Sequence, residues 1–211
     1  TQLRWMDRWV KGVENGIEQE PPVRIFVMGI NQWRDEADWP LPDTRYTPFY
    51  LRSNGQANTL RGDGTLASEP ATSETPDRFV YNPLAPVPSI GGANLMPFAS
   101  SSGPRDQQSV EQRQDVLVYS TPVLTQNVEV TGPITAKLYV SSSAPDTDIT
   151  CKLVDVHPDG RAMLLTDGIL RLRYRQSLTA PQLLQAGEIV EANIDLWSTA
   201  NVFLAGHRIR I

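Results

Sequence analysis

The chain has 211 residues with a formal net charge of -5, 40% hydrophobic and 20% charged residues, two histidines and one cysteine. That length is enough for one substantial core, while the acidic balance, with no basic stripe, argues against a nucleic-acid partner. A single cysteine excludes an internal disulfide, and no apolar run approaches the roughly 18 to 20 residues of a membrane span.

Residues 1 to about 16 carry a short helical pattern, with Leu3, Met6 and Val10 on one stripe and Trp5 and Trp9 beside it. So much apolar area on one short helix calls for a packing partner. Pro21-Pro22 and Gly29 then bound an apolar run, Val23 to Met28, that reads as a buried strand. An acidic loop follows, carrying Trp33 and Trp39. These two tryptophans, with Trp5 and Trp9, are expected at a domain interface, and residues 1–20 are expected to be helix and linker ahead of a β-domain over 21–211. The chain opens at Thr1 and closes on the strand-like Arg208 to Ile211, so it reads as cut from a longer polypeptide at both ends.

Residues 52–115 are irregular, broken by Asn54-Gly55, Gly62-Asp63-Gly64 and the prolines between Pro70 and Pro104. Short strands are expected near Tyr46 to Leu51 and Arg78 to Tyr81. Within this region Leu95, Met96 and Phe98 sit on a glycine-hinged loop, either as core packing or as the wall of a pocket. From Val116 onward eight short strands are predicted: Val116–Tyr119, Val128–Val130, Ile134–Ser141, Ile149–Val156, Ala162–Thr166, Ile169–Tyr174, Ile189–Ile194 and Arg208–Ile211. Asp159-Gly160 and Asp167-Gly168 are both read as turns, which would make residues 149–174 a meander. The fold class is all-β, a jelly-roll sandwich of the galactose-binding type.

The run DTDITCKLVDVHPDGRAMLLTDGILRLRYR, with VTGPITAKLYVSSSAP before it and FLAGHRIRI after it, resembles the C-terminal β-domain of the cocaine esterase and X-prolyl dipeptidyl peptidase family of serine hydrolases. Upstream, VRIFVMGINQWRDEADWP and DQQSVEQRQDVLVYSTPVL extend the resemblance over nearly the whole chain. Several motifs in one order carry more weight than any one of them. The resemblance implies an upstream α/β-hydrolase domain as partner, whose last helix would be the opening helix here, and a β-domain loop reaching over the active site. It gives Leu95, Met96 and Phe98 their pocket-wall reading.

No catalytic residue is assigned within the chain. The Gly-x-Ser-x-Gly elbow that exposes a nucleophilic serine is absent, as are phosphate-loop and dinucleotide motifs and any Cys/His spacing suited to zinc. No metal or cofactor is therefore expected, and His157 and His207 are given structural roles. Asp146, Asp148, Asp155 and Asp159 could be calcium ligands, but no single loop collects them, and turn-capping or buried hydrogen bonds are preferred. Cys151 lies on an apolar strand face and reads as a core residue. The function expected is a non-catalytic domain closing one side of a serine hydrolase's pocket, with homo-oligomer contacts conceivable and the cytoplasm favoured over secretion. The alternative is a carbohydrate-binding module stacking sugars on Trp33, Trp39 and Tyr46.

Overall fold

The computed structural model describes residues 2–73, 75–94 and 102–211. Two sheets face each other across a core made by the second half of the chain. In one, β5 (Val128–Ser141) pairs antiparallel with β8 (Ile189–Phe203), with a register shift between Pro133 and Thr135. β8 alternates buried and exposed residues over most of its length, turning Val190, Ala192, Ile194 and Leu196 inward. Met28, just beyond β1 (Val23–Val27), hydrogen-bonds Ala200 and Val202, so the hairpin of β1 with β2 (Gln32–Glu36) attaches to β8.

The opposing sheet is centred on β6 (Asp148–Val156), which pairs with β7 (Ala162–Arg171) on one side and β9 (Arg208–Arg210) on the other. An extended segment around Ser120 bridges β9 to β4 (Thr65–Ala67), which pairs with β3 (Tyr50–Arg52). Cys151 and Leu153 of β6 meet Ile194, Leu196 and Phe203 of β8 in the main core. The all-β sandwich expected from the sequence is the observed fold.

Several boundaries differ from the sequence reading, each for a physical reason. The opening helix α1 covers only Gln2–Trp9. Asn15 and Arg4 exchange side-chain-to-carbonyl hydrogen bonds, which clip residues 13–20 back along it instead of extending it. The tryptophan-bearing segment is partly the strand β2, because Asn31 takes a left-handed turn (φ 55°) that folds Gln32–Glu36 onto β1. Arg78 to Tyr81 forms no strand; the Asp77 carboxylate beside it instead accepts hydrogen bonds from Ser53 Oγ, Ala57 N–H and Tyr119 OH at 2.6–2.7 Å. Val128–Val130 and Ile134–Ser141 are one strand, β5.

The two Asp-Gly pairs part company. Asp159-Gly160 is a turn, with Gly160 at φ 92°. Asp167-Gly168 is not: both residues lie mid-strand in β7, opposite Lys152 and Cys151. The glycine is required there by proximity, since a Cβ would collide with the Asp195 carbonyl oxygen of β8. Residues 149–174 are therefore one hairpin ending in a 3-10 turn at Leu172–Tyr174. A second helix, α2 (Gln108–Glu111), was not expected, having only one turn and no apolar period.

Candidate functional site: an exposed apolar face and a tied loop base

α1 buries none of its residues. Leu3 is 79% exposed and Trp5, Met6 and Trp9 stand about half exposed on it, while Val10, just past its end, is 71% exposed. Trp5 and Trp9 lie 6.4 Å apart, and the Arg8 guanidinium sits 5.4 Å from the Trp9 ring. The polar side of the helix is held by ion pairs of Arg4 with Glu20 and Arg8 with Glu18. These arrest the helix without covering its apolar side. A second exposed apolar group lies on the β1–β2 hairpin, where Trp33, 65% exposed, packs edge-on against Phe26 at 5.3 Å with Ile30 in the turn. Trp39 is half-buried.

The loop of Leu95, Met96 and Phe98 falls outside the described residues, but its base does not. Gly92 and Gly103 exchange two backbone hydrogen bonds of 2.9 and 3.0 Å, closing the base as an antiparallel pair. Behind it lies a half-buried polar layer on the outer face of the β6 sheet. The Gln107 side chain donates to the carbonyls of Ile90 and Arg105 and accepts from Lys152 Nζ at 2.8 Å. Burial pulls the Lys152 ammonium below its usual value, against the attraction of the Asp167 and Glu111 carboxylates. Glu111 is pushed above the ordinary carboxylate range by burial, which outweighs its 2.8 Å ion pair with Arg210 Nη1. Arg210 Nε also donates to Ser120 Oγ. Both ends of the loop are thus tied to β6, β9 and α2.

The remaining sequence candidates are placed as follows. Arg171 grips Asp148 through two hydrogen bonds of 2.8 and 2.9 Å, and Arg173 bonds Asp146 through both its backbone N–H and its guanidinium. Asp146 caps the turn at Arg173, as expected, whereas Asp148 makes a partly exposed cross-strand ion pair with Arg171, and Asp159 pairs with Arg161. Cys151 is buried and its thiol is pushed up to about 12 by burial. Asp155, His157 and His207, however, come together: His207 Nδ1 lies 2.8 Å from Asp155 Oδ1. Sequence reasoning missed this trio because its members come from strand β6 and from two separate turns.

Residues 15–211 match the X-Pro dipeptidyl-peptidase C-terminal non-catalytic domain. The chain belongs to that family. Over 207 residues it is 55% identical to the cocaine esterase of Rhodococcus sp. (strain MB1 Bresler), an alignment covering 98% of this chain and 36% of that relative. Its fold superimposes on an aminopeptidase from the marine sediment archaeon Thaumarchaeota archaeon with a TM-score of 0.81 at 28% identity, covering all of this chain and 35% of the other. A selenomethionine-labelled alpha-amino acid ester hydrolase gives a TM-score of 0.80 at 27% identity, with coverages of 98% and 35%. The chain spans about a third of the length of each. As a C-terminal non-catalytic domain it has no need of a nucleophile elbow, and the carbohydrate-binding alternative is not favoured.

Proposed function

We propose that this domain completes a serine hydrolase that cleaves esters through an acyl-enzyme, docking on an upstream α/β-hydrolase domain with α1 and the β1–β2 hairpin and walling one side of its pocket with the Leu95–Phe98 loop. In such enzymes a serine activated by a histidine and an aspartate attacks the carbonyl, and an oxyanion hole stabilises the intermediate. Those groups are assigned to the other domain. The observation that carries the reading is the row of exposed apolar side chains Leu3, Trp5, Met6 and Trp9 on α1, an element that buries nothing of its own, with Val10 exposed just beyond it.

Ester cleavage is preferred over proline-peptide cleavage because the 55% identical relative is a cocaine esterase. Residues 1–20 serve as helix and linker between the domains, with Trp5, Trp9 and Trp33 as interface anchors and Trp39 packed beneath the adjoining loop. The loop's doubly tied base supports the pocket-wall role, since a wall must be held in place to shape a substrate site.

The test mixes the 211-residue chain with the separately produced catalytic portion of the Rhodococcus relative and follows association by sedimentation velocity. A complex that weakens at least tenfold in W5A/W9A, while W33S weakens it less, is the expected result. Association unaffected by all three substitutions would remove α1 and the hairpin from the interface.

A further inference from the structure

The only two histidines of the chain meet at one buried carboxylate. His157 follows β6 and His207 precedes β9, and the pairing of Val156 with Arg208 brings the two turns side by side. Their imidazole rings lie 4.5 Å apart, tilted by 40°. Asp155 Oδ1 is 2.8 Å from His207 Nδ1, and Asp155 Oδ2 is 3.8 Å from His157 Nε2. One donor atom from each residue falls within 4.8 Å of the others. The Asp155 and His207 side chains are 7% and 10% exposed, while His157, at 28%, opens the group to solvent.

A buried carboxylate must be compensated. No lysine or arginine forms an ion pair with Asp155 among the described residues; its ion-pairing partners are the two imidazoles. Asp155 Oδ2 and His157 Nε2, 3.8 Å apart, are too far for a direct hydrogen bond, so an ion held among the three donor atoms would satisfy both. A divalent cation takes neutral imidazoles as ligands and supplies the positive charge that offsets the carboxylate. Two imidazole nitrogens and one carboxylate oxygen suit a borderline transition ion such as zinc, whereas calcium asks for about six to eight oxygens. Bonds of about 2.0–2.2 Å require the donors to close in slightly. The half-exposed His157 side chain, on a turn, can make that movement.

We propose that Asp155, His157 and His207 form a transition-metal site of the zinc type that staples the turn after β6 to the turn before β9, with water completing the coordination on the His157 side. The site then steadies β9, whose Arg210 holds Glu111 and through it the segment behind the loop base. Cys151 does not compete for the metal, since it is buried and its thiol is held protonated well above neutral pH.

The test uses the 211-residue chain, stripped with a chelator and titrated with zinc. Isothermal titration should show one equivalent bound with a micromolar or tighter constant, and a hundredfold excess over that constant should raise the unfolding midpoint by about 5 °C or more. H157N should keep the metal-free midpoint and lose the zinc-dependent rise. Because there are only two histidines, their ring protons report binding without mutation: both should shift together and saturate at one equivalent. Histidine signals unmoved by zinc, or a zinc-dependent rise preserved in H157N, would overturn the site and leave the trio as a hydrogen-bonded turn anchor.

Discussion

The facing sides of β6 and β8 and the N-terminal segments α1, β1–β2 and 79–84 treat apolar side chains in opposite ways. In the first group they alternate along strands and turn inward, so that Ile194, Leu196 and Phe203 are fully buried against β6. In the second group the largest of them, on α1, on the β1–β2 hairpin and along 79–84, remain outside. Burial of this size is worth about 1.5–3 kcal/mol per large side chain, so the apolar groups of α1 and the hairpin, which gain little of it, stand apart from the inward faces of β6 and β8, although Ile189 and Trp197 of β8 are exposed too.

Substitutions can sharpen or break that contrast, beginning with the largest effect. F203A should cost about 3–5 kcal/mol in urea unfolding, whereas W9A should change stability by less than about 1 kcal/mol while weakening association with a catalytic domain. Equal costs at the two positions would erase the distinction. G168A comes next, at about 1–3 kcal/mol or more, because the added methyl must push β7 off the Asp195 carbonyl of β8; a neutral result would mean that the two sheets are not in contact there.

Charged groups divide by burial, and pH separates them. Glu111 has its folded pKa raised by burial, so its contribution to stability is fully present below its unfolded value near 4.5 and is lost as pH rises through the folded one. E111Q should flatten that decline in the acid-to-neutral range of the stability profile. Asp148 is the reverse case: hydrogen bonds from Arg171 lower its pKa, so its contribution is present above about pH 4 and is lost as pH falls through the folded value. D148N should lower stability by only about 0–1 kcal/mol at neutral pH, since the pair is partly exposed, and should remove the acid-side loss. A fall with rising pH that persists in E111Q would assign the effect to another group.

The same contrast explains what could be read from the sequence. Strand β6 and the first part of β8 announced themselves because alternation records a buried face, whereas residues 195–203 of β8 were not read as strand; Asp159-Gly160 announced its turn because a hairpin needs a positive φ there. Gly168 misled because a glycine demanded by a neighbouring backbone looks, in one dimension, like a glycine demanded by a turn. β2 was missed because QWRDE has no apolar alternation; its stability comes from a ladder and surface ion pairs such as Arg24 with Asp35. Asp148 proved to be the partner of Arg171 across the β6–β7 pair, while the capping role of Asp146 followed from residue type. The meeting of His157, His207 and Asp155 did not, because it depends on the register between β6 and β9, which no local pattern encodes.

The central claim is that these residues form a non-catalytic partner of a hydrolase domain. The most direct measurement compares hydrolysis of a small aryl ester by the 211-residue chain alone and by the same chain joined behind the catalytic portion of the Rhodococcus relative, at equal concentration. The account predicts no enzymatic turnover by the chain alone and saturable turnover by the joined protein. Saturable turnover by the chain alone, abolished by a single substitution within it, would contradict the account.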